Sequence, residues 1–426
     1  MASIRAMSTE PSTRAFAYSD YRYFWFTSLA ASFAAQIVSV SVGWQIYDLT
    51  RNPLLLGFVG LAQFLPALFL VLVTGLAADR FPRRRIMQMC LAVELGAAFI
   101  LFAVAGLANH AEVWPIYAVL VMIGTARAFL GPAGASLAPN LVPPAALGNA
   151  IALNATAWQT AGIVGPMAGG LLYGLGAPVA YGTAALLAVV AFISISFVKP
   201  PPQNPRGEEA TLASLFSGFH YIWREKVVLG AISLDLFAVL MGGAVALMPV
   251  FARDILEAGP WGLGLLRAAP GVGAITMALF LTRFPVKRRA GVVLFIFVAL
   301  FGLATLLFGL SQSIWLSVPL LALIGAADMV SVSIRETIMQ LWTPDSVRGR
   351  VSAVNSVFIG ASNELGEFRA GLMAAFIGAQ AAVAFGGACT IGVAALWSQL
   401  FPGIRRQDNL DRAMVSEDAA ENPANA

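Results

Sequence analysis

Apolar runs recur from one end of the chain to the other, each roughly 20 residues long and enough to cross a ~30 Å hydrocarbon core as a helix. Short polar stretches between them hold most of the charge. The pattern predicts six spans at Tyr21–Leu49, Leu54–Ala78, Arg84–Gly106, Val113–Ser136, Leu147–Tyr173 and Pro178–Val198. Six more follow at Val227–Asp254, Trp261–Thr282, Arg288–Leu310, Ile314–Trp342, Val351–Gly378 and Ala381–Phe401. This divides the chain into an N-terminal segment (1–20), a six-helix bundle (21–198), a polar linker (199–226), a second six-helix bundle (227–401) and a polar tail (402–426) expected to be disordered. The linker opens on Pro200, Pro201 and Pro202, which cannot continue a helix.

Composition agrees with burial in lipid. Of 426 residues, 59% are hydrophobic and only 11% charged, where a soluble domain carries about a quarter. A net charge of +4 raises nucleic-acid binding as an option. The basic residues, however, sit in small clusters at the ends of apolar runs, where they position helices, so no nucleic-acid partner is expected. Cys90 and Cys389 lie inside apolar runs and read as small hydrophobes. His110 and His220 fall in loops, and no metal-ligand spacing, nucleophile–base arrangement or phosphate-binding loop accompanies them. No enzyme activity, cofactor or metal is expected. Glu10 and Asp20 before the first run argue against a cleavable signal peptide.

Most of the 26 basic residues lie on the side shared by the termini and the loops after even-numbered spans, in clusters such as Arg83-Arg84-Arg85 and Arg288-Arg289. The opposite side holds Arg51 and Arg253. The positive-inside rule makes the basic side, with both termini, cytoplasmic.

The two halves align at an offset of about 201 residues. Pro143, Gly148 and Asn154 fall on Pro344, Gly349 and Asn355, and Gly165, Gly170 and Leu171 fall on Gly366, Gly371 and Leu372. Arg127 falls on Asp328. Two parallel repeats around an axis along the membrane normal are expected, with a site between them near mid-bilayer.

Three motifs carry a resemblance. After the second span stands Gly75-Leu76-Ala77-Ala78-Asp79-Arg80-Phe81-Pro82-Arg83-Arg84-Arg85, a tight turn with a carboxylate among guanidinium groups. The fifth span carries Gly162, Gly165, Pro166, Gly169 and Gly170 at spacings that let helices approach closely. The fourth has Arg127 followed by Gly131 and Gly134. Together these resemble the loop, antiporter and intramembrane-arginine motifs of the major facilitator superfamily, with Pro82 where the loop motif has glycine. Within it the chain is similar to bacterial exporters related to the enterobactin exporter, in phrases such as Trp44-Gln45-Ile46-Tyr47-Asp48-Leu49-Thr50 and Ser362-Asn363-Glu364-Leu365-Gly366-Glu367-Phe368-Arg369. The resemblance implies an all-α membrane fold of twelve helices in two pseudo-symmetric bundles. It implies a proton-coupled exporter of small amphipathic molecules, monomeric, in the bacterial inner membrane. Dedicated siderophore export, or a receptor of the same fold that binds without transporting, are the alternatives.

In such a fold, Gly75, Asp79, Arg80, Arg83 and Arg84 would form a conformational latch against the start of span 11; the alternative is a purely topogenic charge cluster. Arg335 and Glu336, nearer the cytoplasmic end of span 10, join the latch in this reading. Spans 1, 4, 7 and 10 line the cavity, which places Arg127, Asp235 and Asp328 there. Asp235 is the first candidate for a proton carrier and Asp328 the second, with Arg127 modulating; a static Arg127–Asp328 ion pair is the other reading. Glu364 and Glu367, three apart on one helical face, could serve as a second relay or as structure. Gln36, Ser39, Gln45, Trp158 and Phe237 are the candidate substrate contacts.

Overall fold

A computed structural model of the chain describes residues 12–106, 112–199, 219–286 and 288–407. The predicted linker from 200 to 218, the tail from 408 and His110 lie outside the described residues, as do the surroundings of Gly75 and the side chain of Asp79.

Among the described residues, twelve long helices follow one another: α1 (Ser19–Thr50), α2 (Pro53–Arg80), α3 (Arg83–Gly106), α4 (Trp114–Leu137), α5 (Pro144–Gly174) and α6 (Ala177–Phe197), then α7 (Lys226–Gly242), α8 (Gly259–Arg283), α9 (Ala290–Leu310), α10 (Ile314–Trp342), α11 (Asp345–Ile377) and α12 (Ala379–Leu400). Their ends have local causes. Arg51 closes α1 in a left-handed conformation, and Asn52 caps α2 by accepting the Leu54 N–H at 3.0 Å, with Pro53 at the first helical position where no donor is lost. The α5–α6 and α11–α12 hairpins turn through Gly176 and Gly378, both at positive φ. The repeat thus keeps glycine where only glycine is unstrained.

Span 7 departs from the expected uninterrupted helix. It breaks after Gly242 and continues through a 3-10 turn at Val245–Leu247 and a wide turn at Phe251–Ile255. The adjacent Gly242 and Gly243 tolerate the break. The Arg369 guanidinium donates to the freed carbonyls of Leu240 (2.8 Å) and Met241 (2.5 Å), as broken backbone inside a membrane protein requires. The last residues of the predicted linker are helical: Ile222 is buried with Val228, Met339 and Val351, and the Tyr221 hydroxyl bonds the Trp342 carbonyl.

Each half packs alike. In the first, α1 lies on α5 and α6, and α4 lies between α2 and α3; in the second, α7 lies on α11 and α12, and α10 between α8 and α9. The halves join through α2 against α11 and α5 against α8. Among the described residues ten helices are long and apolar enough to cross a membrane by composition; α5 and α11 fall short. Each of the two packs across the seam, α5 on α8 and α11 on α2, so part of its surface meets a helix of the other half.

At two points the seam brings backbone against backbone. A Cβ on Gly371 would stand 2.9 Å from the Gly57 Cα and 2.8 Å from the Pro53 carbonyl; one on Gly170 would stand 2.9 Å from the Gly264 Cα and closer still to the Pro260 carbonyl. Both seams therefore use the same device, a glycine of one half laid on a Pro-x-x-x-Gly helix start of the other. Close approaches of α2 to α11 run from Pro53 against Gly371 to Phe64 against Gly360. Those of α5 to α8 run from Gly170 against Pro260 to Ile163 against Gly271. Both stretches lie toward the end that carries Arg51 and Arg253.

Candidate functional site

Three sets of polar side chains are built onto this frame. The first closes the Arg51 end. Arg51 Nη1 meets Asp254 Oδ1 at 2.9 Å, Arg253 is ion-paired with Asp48, and the Tyr47 hydroxyl donates to Asp254. Arg253 also lies over the Trp44 ring, 5.4 Å from its centroid. Every one of these contacts crosses from one half to the other. Sequence reasoning counted Arg51 and Arg253 as the sparse external charges and gave them no role; the available signal was that each stands close to an acid in the chain.

The second set lies at mid-seam. Arg267 of α8 donates to Ser39 of α1 at 2.8 Å across the halves, while its Nε is buried without a partner. The carboxylates of Glu364 and Glu367 of α11 both lie against Gly60 of α2, in the other half. Ser39 is therefore engaged by the arginine rather than free for substrate.

The third set is one charge cluster inside each bundle. In the first, Arg127 of α4 donates to Gln63 of α2 at 2.9 Å and approaches Glu94 of α3 at 3.7 Å. In the second, Arg335 meets Asp235 at 2.7 Å and donates to Ser331 at 3.1 Å, with both ion-pair members under a tenth exposed. Asp328 lines the same small pocket as Asp235 and Ser331. The structure pairs Arg127 within its own bundle, not with Asp328: the repeat puts them at matching places in different halves. Arg335, expected in the latch, is instead the buried partner of Asp235, and Glu336 accepts from Asn355 of α11 at 3.4 Å, inside the C-terminal half.

A cavity of about 310 Å³ in the N-terminal half, near the ends of α1 and α4 that bear Phe24 and Ala135, is lined by Thr27, Ser28, Asn154 and Trp158. Trp158 is 67% exposed. Gln45 is absent from it: only 6% exposed, its Oε1 accepts from the Tyr181 hydroxyl at 2.5 Å inside the bundle. Phe237 leans on Trp397 of α12, centroids 5.0 Å apart. Gln36 fills the gap at Gly165, and Gly169 lies on Ile37 and Val40, so these two motif glycines seat α1. Gly170 and the Pro166 carbonyl, 2.7 Å from where a Gly264 Cβ would stand, make the cross-half seam, and Gly162 faces open space. Of the basic loop, Arg83 donates to the Ser136 carbonyl at 2.9 Å, and Arg84 to the Ile195 and Ser196 carbonyls at 3.3 and 2.5 Å. Both cations sit at helix C-termini, where the dipole favours them.

Comparison with known proteins settles the family. Residues 12–424 match the family described as "Transmembrane secretion effector". The chain belongs to this family of major facilitator transporters. It is 28% identical over 326 residues to the enterobactin exporter EntS of Shigella boydii serotype 4 (strain Sb227), covering 75% of this chain and 76% of the relative. The same identity and coverage hold for the enterobactin exporter of Escherichia coli O1:K1 / APEC. Among solved structures, a bacterial homologue of the iron transporter ferroportin in an inward-facing state superposes with a TM-score of 0.69 at 14% identity, covering 91% of this chain and 99% of that one. A D-xylose–proton symporter gives 0.70 at 14%, covering 91% and 98%. At such identities these likenesses show the fold. The chain is a multi-pass membrane transporter of the major facilitator fold, acting on a small molecule.

Proposed function

We propose that this transporter is a proton-coupled exporter of a small amphipathic molecule, working as a monomer by alternating access in the bacterial inner membrane, with both termini cytoplasmic. The basic clusters at the Arg83 end support that orientation. It makes the Arg51 end periplasmic and the contacts there those of an inward-facing state.

The observation that carries the reading is the mid-seam cluster. A coupling carboxyl must change surroundings as the halves part, and a carboxyl that passes between a closed seam and water loads and releases a proton. The choice of Glu364 and Glu367 for this is supported by the opposite wall of their site, which belongs to the other half. Arg267 supplies the competing cation, held by Ser39. Asp235 and Asp328 sit within one bundle, where parting the halves changes less around them, and Arg335 holds Asp235; they pass the proton on or set the bundle's charge. Asp79 completes the cytoplasmic latch in the opposite state.

Proton-gradient fluorescence in everted vesicles tests this, with a panel of lipophilic cations, antibiotics and catecholate siderophores. Gradient loss on adding one class, absent in Glu367→Gln, is the expected outcome. Substrate accumulation that persists unchanged without a gradient overturns the coupling. A second reading, dedicated siderophore export, is favoured by relatives named as enterobactin exporters, and a response confined to the catecholates selects it.

A further inference from the structure

A large hollow among the described residues lies away from the seam between the halves. It is a groove of about 800 Å³ on the flank of the N-terminal bundle, floored by α4 (Val121, Met122, Thr125, Phe129) and walled by α3 (Ile86, Met89, Val93) and the end of α2. Its lining is apolar throughout except for Thr125 and, at its mouth, Arg85. From Arg85 to Val93 the α3 wall rises about 12 Å at 1.5 Å per residue. Half of a ~30 Å hydrocarbon core is close to that depth. The groove runs through one leaflet, from the headgroup level to the bilayer centre.

The mouth has an unused charge. Arg83 and Arg84 are committed to helix-end carbonyls of α4 and α6. Arg85 is exposed, and its guanidinium makes no hydrogen bond or ion pair among the described residues. A guanidinium at the membrane surface above an apolar slot matches an anion joined to an alkyl chain, and its planar fork suits phosphate oxygens in particular.

We propose that this groove holds an anionic phospholipid, one acyl chain lying between α2 and α3 on the α4 floor and its phosphate on Arg85. The neutral phospholipids of the same bilayer supply the chain without net charge for Arg85, and anionic ones are selected over them. Because α2 also carries Gly57 and Gly60 of the seam, the bound chain wedges against a helix that moves when the halves part.

The full-length protein in bilayer nanodiscs, with a photoactivatable diazirine in the acyl chain of a phosphatidylglycerol, tests this by mapping labelled peptides. Labelling at Met89, Val93 and Met122 is expected, lowered roughly fivefold in Arg85→Gln, in line with the attraction of one basic residue to an anionic surface. Val121→Trp, on the exposed floor of the groove, fills it and leaves Arg85 in place, and should abolish labelling there while leaving labelling of other helices unchanged. Equal labelling from a phosphatidylcholine probe, or labelling indifferent to both variants, overturns the proposal. So does displacement of the phosphatidylglycerol probe by the vesicle-assay substrates at their transport concentrations, which makes the groove a substrate path instead.

Discussion

Arg253, beyond the break in span 7, is ion-paired with Asp48 at the end of α1, and beside it Arg51 is paired with Asp254. Each half offers the other one cation and one anion. All four side chains are partly exposed, so each pair is worth about 0.2–1 kcal/mol. Asp48→Asn should therefore shift the balance toward opening at this end by up to about fivefold, read as spin-label distances between Leu49→Cys and Glu257→Cys. The exchange Asp48→Arg with Arg253→Asp should restore the original distribution. A double variant as open as the sum of its singles would remove the ion pair as the cause.

Glycine substitutions separate seam from surface. Gly170→Val puts a side chain into the Pro260 carbonyl and Gly264, where backbone cannot give way. Overpacking of this kind costs about 1–3 kcal/mol, and it falls on the state with this seam closed. Transport should drop at least about tenfold at unchanged membrane expression. Gly162→Val, one helical stretch away and facing open space, should transport almost normally; equal loss in both would show that small residues on α5 matter for insertion rather than for the seam.

The Arg335–Asp235 pair is buried, and removing one member strands a charge. Arg335→Met leaves Asp235 with Asp328 beside it and should destabilise the protein by about 3–5 kcal/mol. Asp235→Leu with Arg335→Met together should cost much less, since both desolvated charges leave at once. Thermal unfolding in detergent decides, and a double variant no better than Arg335→Met would mean that Asp328, rather than Asp235, is the arginine's real counter-charge.

Glu364 and Glu367 should behave unequally from Asp235. Glu367→Gln is expected to abolish gradient-driven transport while substrate exchange continues, because exchange needs no proton transfer. Asp235→Asn keeps its hydrogen-bonding shape next to Arg335 and should retain part of the gradient-driven rate. Loss of coupling in Asp235→Asn with full coupling in Glu367→Gln would transfer the proton site from the seam into the C-terminal bundle.

The repeat was the most readable feature of the sequence, because it is written in glycines and prolines whose backbone demands survive divergence, as Gly176 and Gly378 show. Side-chain direction was not readable. Helix α1 is apolar around much of its circumference, so no stripe tells that Gln45 turns toward Tyr181 while Ser39 turns toward the other half. The Arg127 position was evident as a costly intramembrane charge, but its partners come from α2 and α3, and nothing in the spacing of Gln63 or Glu94 announces them. Aligning Arg127 with Asp328 invited a pairing between them; equivalence under the repeat is what keeps them apart.

The glycine seam has a consequence for motion. Surfaces made of interlocking side chains must reset many rotamers when they separate, and each reset is a small barrier. Where Gly170 meets Gly264 and Gly371 meets Gly57, two smooth backbones rest on each other with nothing to disengage. The joint behaves as a plain bearing: it holds the halves at a fixed spacing without keying them to one angle. Which angle prevails is then left to the few charged pairs around it.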